Sequence, residues 1–460
     1  MTIYYVGPGG NDANNGLSWA NRKLTLNGAE DVPVAAGDTV YVGPGVYREG
    51  LVLDVDGSVG NIITYIADVT GQNTDGVGGI VRITGSDNDQ TATRANAISG
   101  VGRDYRTLRG FFLDTFTTGP FSFTGGPTNI IVEDCVGEGG ASRIADIDGA
   151  GQAAVTFRRC LFYGAHASNS IGLTFNHSVV VNNTGHLIEN CVIIGNARAI
   201  NTNRIGGITV KNCFITQTQT GGVYVGVALD AGQLTTVRNC IFVACNRACR
   251  ATVTTEFDED FNTFWRNISD RENVNTGAGS VAYPPLFNPP ILQDDLVLPF
   301  IPFAPSEWSP IRRLAGGSEA SDDFFGITRP ATSAKKSWGA IQLREGERDT
   351  GTVRTGAASI KLADAGDHQI FIPITNVSTV FSVYARREAD YTGTNPQMII
   401  RQPGQADVTV TDAGAAGAWN QLTTTLTPAA DPPYVVMILR SLNTAAAGSF
   451  GTYFDDMEVD

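Results

Sequence analysis

The chain has 460 residues and a formal net charge of −14, a field that repels phosphate backbones and argues against nucleic acid as a partner. No apolar run approaches the ~18 residues that a membrane-spanning helix needs, so no membrane insertion is expected. Glycine is abundant (53 residues) and charged residues make up only 17%, which points to an all-β protein with many tight turns. The seven cysteines are an odd number and include no C-x-x-C pair with a matching partner, so neither a zinc module nor a disulfide framework is expected.

The first ten residues, MTIYYVGPGG, read as a strand and a turn. They lack the basic-then-apolar order of a secretory signal, so the expectation is a native start without an export leader. Residues 4–49, YYVGPGGNDANNGLSWANRKLTLNGA followed by VAAGDTVYVGPGVYRE, continue with further strand and turn signals.

A repeat begins near residue 105. NIIVEDCVGEGG holds Cys135, VTFRRCLFYGAH holds Cys160 and HLIENCVIIGN holds Cys191, while ITVKNCFITQT holds Cys213 and TTVRNCIFVACN holds Cys240. The steps between these cysteines are 25, 31, 22 and 27 residues, and YRTLRGFFLDTF places Phe111 in the same slot 24 residues before Cys135. Such steps match one three-strand coil of a solenoid. Apolar residues alternate, slip by one position before the cysteine, then alternate again, which means a bend between two short strands. Asn190, Asn212 and Asn239 occupy the bend slot, with Asp134 earlier; short polar side chains tolerate the left-handed backbone such a bend needs. Stacked coils would make these an asparagine ladder, and each neighbouring cysteine an inward-facing small hydrophobe. Unequal coil lengths place insertions at the turns.

Polysaccharide hydrolysis requires two carboxylates roughly 5 to 10 Å apart. Adjacent coils, ~4.8 Å apart, can supply them. Asp146 and Asp148 in RIADIDGAG share one strand face, and Asp134 lies one segment earlier. Glu256, Asp258, Glu259 and Asp260 cluster in TEFDEDFN. Of four histidines, His166, His177 and His186 fall in adjoining coils, with His177 the candidate to meet a neighbour, and His368 lies apart. An acidic chain offers such groups freely, and solvated faces and turn residues account for most of them. A lyase would need a Lys or Arg base, and adjacent Arg158 and Arg159 put at most one into any groove.

From about 267 the repeat gives way to YPPLFNPPILQDDLVLPFIPFAP, whose prolines cannot donate to a central ladder, so residues 267–343 are expected to be irregular chain covering the end of the solenoid. From 344 to 460, short alternating segments such as STVFSVYARRE, PQMIIRQPG and WNQLTTTLTP suggest a β-sandwich.

Taken together, residues 3–343 resemble the right-handed parallel β-helix proteins of the pectate-lyase-like superfamily. Residues 4–49 look like that group's N-terminal cap, where a short helix covers the open end, and LAGGSEASDDFFGITRPATSAKKSWGAIQ (314–342) looks like its terminal segment. The resemblance implies a fold and leaves activity open, since the group includes lyases, hydrolases, epimerases, tail spikes and inactive structural members. Polygalacturonase-like signatures are absent. Residues 344–460 resemble jelly-roll domains of the carbohydrate-binding type, through residues 356–362, 381–386 and 419–422 and the closing YFDDMEV. That resemblance implies Tyr384, Arg386 and Trp419 as sugar contacts, although the Trp419 slot is usually buried in the group and core packing weighs more. It also implies Asp455 or Asp456 as ligands of a structural calcium ion, against the alternative of a solvated strand end; no other cofactor is expected.

Two functions follow as expectations. The first is a virion structural or adhesion protein of the phage tail-spike, fibre or capsid-decoration type, contacting host surface glycans and other virion proteins, and trimeric by analogy. The second is a secreted polysaccharide lyase or glycoside hydrolase with a binding module, for which Asp134, Asp146, Asp148 and His177 would be the catalytic candidates.

Overall fold

A computed structural model of the chain describes residues 1–31, 34–140, 142–164, 171–181, 184–225, 234–282, 320–323 and 329. Towards the C-terminus it describes 347–349, 354, 359–362, 366–373, 378–388, 391, 394–402, 406–427, 434–442 and 452–459. These residues fall into two compact units, within Met1–Leu286 with Ser309–Gln342 and within Leu343–Asp460.

Each coil of the first unit is a set of three short parallel strands separated by bends. Strands from successive coils pair in register and build three sheets. The first holds ten strands, from Ile3–Val6 to Phe257–Asp260. The second holds nine, from Gly45–Tyr47 to Thr263–Trp265, and the third nine, from Leu51–Leu53 to Ser269–Glu272. The described residues thus form a parallel β-helix of nine three-strand coils.

The bend between the first and second sheets is one residue in the left-handed region, at Gly110, Asp134, Arg159, Asn190, Asn212, Asn239 and Phe261, with φ between 51° and 83°. Its N–H stays in the ladder: Asn190 donates to Lys211 O at 3.2 Å and Asn212 to Arg238 O at 3.1 Å. The next residue turns inward. Cys135, Cys160, Cys191, Cys213 and Cys240 all lie buried in one continuous core with free thiols. The Cys191 thiol donates to Phe157 O in the preceding coil at 3.5 Å. Deeper in the core Phe157 meets Phe121, Phe162 and Phe175 edge-on at 5.8–6.4 Å.

The asparagine ladder differs from expectation in two ways. Arg159 and Phe261 also occupy the bend slot, so the geometry selects a backbone conformation more than a residue type. Among the described residues, the asparagine side chains are not hydrogen-bonded to one another. Asn190 Nδ2 donates to Asp322 O at 2.8 Å and its Oδ1 accepts from Arg329 at 2.9 Å, while Asn212 Oδ1 accepts from the Ala320 N–H at 2.9 Å. Part of the expected terminal cover therefore lies along this corner. The strand Ser269–Glu272 belongs to the third sheet, so the solenoid runs past residue 267. The proline-rich stretch and most of 314–342 lie outside the described residues.

Both ends of the core are closed by a buried carboxylate. At the start, the short helix Leu26–Glu30 brings Glu30 to Arg106, both fully buried. Tyr65 Oη donates to Glu30 at 2.5 Å and the Asp54 N–H at 2.8 Å. Burial alone would raise the Glu30 pKa, but the Arg106 hydrogen bond and charge outweigh it and hold the carboxyl below its ordinary value. The Trp19 ring lies against the backbone at Gly7 and Gly43, where an added Cβ would stand 2.2 and 2.4 Å from the ring, so both glycines of the early turns are required there. At the far end Glu259 accepts from Arg271 at 2.6 Å, Asn262 at 2.9 Å, Ser280 at 2.6 Å and the Gly277 N–H at 2.8 Å.

The second unit has two antiparallel sheets. One orders Glu347–Asp349, Ser359–Leu362, Thr452–Val459, Thr379–Arg387 and Asn420–Leu426; the other orders Gly366–Pro373, Tyr434–Leu442, Thr394–Arg401 and Val408–Thr411. Phe381, Val383 and Phe454 from the first share a core with Met398, Val435 and Met437 from the second, which makes the unit a β-sandwich.

Two stability outcomes follow. Arg106→Met should strand the buried Glu30 carboxylate and cost ~3–5 kcal/mol in urea unfolding, with much of that loss recovered in the Arg106→Met/Glu30→Leu double variant. Cys191→Ala should cost ~1–3 kcal/mol as a small core truncation. An unchanged urea midpoint in either single variant contradicts its assignment.

Candidate functional site

The outer side of the third sheet carries straight rows of side chains, because its parallel strands pair residue to residue across coils. One row runs Ser99, Ser122, Asp146, Thr174, Asn201, Tyr224, Arg250 and Glu272, each paired with the next. Thr174 and Asn201 are buried and form the floor, and the other six are half-buried. A second row includes Asp148, Asn176 and Asn203, with Asn203 Nδ2 donating to Asn176 Oδ1 at 2.7 Å.

Long side chains are ordered over this floor. Arg143 pairs with Asp146 at 2.6 Å, and Arg198 donates to Asn201 Oδ1 at 3.1 Å. The Tyr224 ring has two guanidinium neighbours, Arg198 at 4.3 Å and Arg250 at 4.9 Å from its centroid. Arg250 also pairs with Glu272 at 2.9 Å. The row is polar from one coil to the next, and its side chains present hydrogen-bond donors and acceptors along the solenoid axis.

The structure separates the catalytic candidates. Asp146 and Asp148 do share the outer face of one strand. Asp134 stands at the bend between the first and second sheets, on a different corner, and pairs with Arg159 at 2.6 Å. His177 is buried and follows Asn176 in the strand, off the row of Asp148. The two arginines considered as lyase bases are both committed: Arg158 and Arg159 engage Glu133, whose carboxyl is fully buried. Burial alone would raise the Glu133 pKa, but the Arg158 hydrogen bond and the Arg109 and Arg158 charges hold it below its usual value. The acidic run 256–260 is also structural. Glu256 accepts from Thr252 at 2.7 Å, Asp258 pairs with Arg238 at 2.5 Å, Glu259 closes the core, and Asp260 accepts the Gly279 N–H at 2.6 Å. His166 lies outside the described residues.

In the sandwich, Tyr384 and Arg386 lie on the outer face of the five-stranded sheet. The Arg354 guanidinium sits 3.5 Å from the Tyr384 ring centroid, so that face is already covered. Arg386 Nε donates to Gly417 O at 2.9 Å. Trp419 is half-buried and outside the core cluster, contrary to the core packing expected for its slot. Asp455 accepts the Arg354 N–H at 2.7 Å and Asp456 pairs with the same residue's guanidinium. A cation of the chain's own thus pairs with the Asp456 carboxylate. Among the described residues, no group of three or more His, Cys, Asp or Glu side chains is placed to hold a metal ion, and no helix is long and apolar enough to cross a membrane.

No family model matches the sequence, and no curated protein does. Solved structures are similar to it at low identity. Pectate lyase Pel9A is 15% identical, with 74% of this chain and 96% of that chain covered and a TM-score of 0.42. An alginate lyase from Paenibacillus sp. str. FPU-7 is 12% identical, over 52% and 85%, with a TM-score of 0.40. A family 16 carbohydrate-binding module is 12% identical, over 25% and 83%, with a TM-score of 0.20.

One buried group gives a pH outcome. His186 is buried beside Phe175, its Nδ1 accepting the Val155 N–H at 3.1 Å, and burial pushes its pKa down to about 3. The folded value lies below the unfolded ~6.5, so the neutral ring's contribution is full above pH ~6.5 and is lost as pH falls from there towards 3. Urea unfolding free energy should therefore decline by up to about 1.4 kcal/mol per pH unit in that window. His186→Leu should flatten the decline between pH 6.5 and 5; an identical slope in the variant rejects the assignment.

Proposed function

We propose that the protein binds an extended polysaccharide along the outer face of the third sheet and serves as a glycan-binding attachment protein on a virus particle, of the tail-spike or fibre type. The observation that carries the glycan reading is the in-register polar row from Ser99 to Glu272, with its arginine-flanked tyrosine. A polar row that runs in register from coil to coil suits an extended polymer. A folded protein partner would instead favour an apolar centre.

Binding without cleavage is the reading the geometry favours. Asp146 is ion-paired with Arg143, which occupies the carboxylate that would act in catalysis. Asp134 lies on another corner and His177 is buried. The virion placement is supported by the design of the chain, a rigid solenoid joined to a second β-rich module, which suits display on a particle and contact with other virion proteins.

The full chain should co-sediment with glycan-coated bacteria, be displaced by their purified surface polysaccharide, and leave the polymer's length unchanged on size-exclusion chromatography. Mass spectrometry of purified particles should detect the chain. Steady release of oligosaccharides, abolished by Asp146→Asn or Asp148→Asn, overturns the non-enzymatic reading.

A further inference from the structure

Beside the central row of the third sheet runs a second row at the start of each strand. It reads Arg143, Ile171, Arg198, Gly221, Arg247 and Ser269 on consecutive coils. Arginine therefore recurs on every second coil, three times, with uncharged residues between. Two coils span ~9.6 Å, twice the strand spacing. The three arginines form a comb whose backbone positions recur at a fixed period on an otherwise acidic protein.

The middle tooth differs from the outer two. Arg143 has Asp146 and Arg247 has Glu272 as carboxylate partners. Among the described residues Arg198 pairs with no carboxylate; it meets only the Asn201 amide oxygen and the Tyr224 ring. One coil before Asn201, the Thr174 hydroxyl is buried, at 6% exposure for the residue, with no hydrogen-bond partner among the described residues. A half-buried cation without a counter-ion, next to an unsatisfied buried hydroxyl on the same face, calls for an anionic ligand that also hydrogen-bonds.

Given that this face binds a glycan, which the present inference takes as its premise, we infer that the glycan carries one acid group, carboxylate or sulfate, on every second sugar. A pyranose in an extended chain advances by about one strand spacing, so the comb meets alternate residues. The acid of the central repeat pairs with Arg198, and the neutral sugar lies over Ile171 or Gly221. A polymer with an acid on every sugar places half of its charges at positions with no arginine, where they are desolvated without a partner.

The test titrates the full chain calorimetrically with three oligosaccharide sets of equal length: hyaluronan, with acids on alternate sugars; polygalacturonate, with an acid on each; and neutral cello-oligosaccharides. Hyaluronan should bind at least tenfold more tightly than the other two, and more weakly as salt is raised. Arg198→Gln should lose tenfold or more for hyaluronan with an unchanged melting temperature. Ile171→Lys, which fills a gap in the comb, should shift preference towards polygalacturonate. Equal affinity for the two acidic polymers overturns the alternation. Equal affinity for neutral and acidic sugars, or no effect of Arg198→Gln, overturns the comb while leaving glycan binding intact. Failure to bind any of the three, nor any glycan from cell surfaces, removes the premise itself.

Discussion

From its third coil onward, the solenoid depends on a single backbone step taken at the same place in each coil. A chain that turns from one strand into the next must change direction without reversing which side chains face inward, since a slip of one residue would exchange the core for the surface. One residue in the left-handed region achieves this. The conformation costs an L-residue about 1–2 kcal/mol, and six successive non-glycine residues from Asp134 to Phe261 adopt it. What offsets the cost is visible locally: from Asp134 to Asn212 the bend residue keeps its N–H in the ladder, and the following cysteine enters the core. Because the step is identical from coil to coil, strands begin at the same height. The inward phenylalanines and the outward rows of the third sheet are two consequences of that one alignment.

Repetition leaves a problem at each end, where an apolar interior would otherwise face water. Among the described residues each end holds a buried carboxylate, and at the start Leu26 and Ala29 of the same helix join the apolar core. Glu30 on the first helix and Glu259 in the last coil each hold an arginine and several N–H or O–H donors. Buried ion pairs add little net stability compared with apolar packing, but they are directional. An apolar plug could slide along the interior, whereas a carboxylate with four or five fixed donors sets where the stack starts and where it stops. The corner carrying Asn190 and Asn212 is tied in a similar manner by Ala320, Asp322 and Arg329, so the polar bend side chains serve the return of the chain more than they serve each other.

The scaffold was legible in the sequence because its marker is local. A polar bend residue followed by an inward cysteine survives any change in coil length, and five such coils suffice to reveal the stack. Arg159 and Phe261 escaped because neither is a residue normally associated with left-handed backbone, and only their neighbours' pairing reveals them. The arginine row of the third sheet was not legible, for the opposite reason. Arg143, Arg198 and Arg247 are separated by 55 and 49 residues, an irregular spacing produced by insertions at the turns, and only the strand register shows them to be two coils apart each time. In the sandwich, contacts between distant residues were likewise not legible. Tyr384 is exposed in pattern, yet Arg354, thirty residues earlier, covers its ring, and the same residue meets Asp455 and Asp456.

Net charge and local charge act at different ranges on this molecule. At physiological salt, fields are screened within about 8 Å, so the overall −14 governs what approaches from solution but not what is recognised on contact. A strongly acidic surface holds off other polyanions unless they find a place where the sign reverses. The third sheet supplies that reversal in a strip one strand wide, with Arg198 and Arg250 positioned by the Tyr224 ring. An arginine stacked on an aromatic face keeps its edge donors free and loses little further side-chain freedom on binding. The Tyr224 ring thus holds both guanidiniums in place within the chain itself.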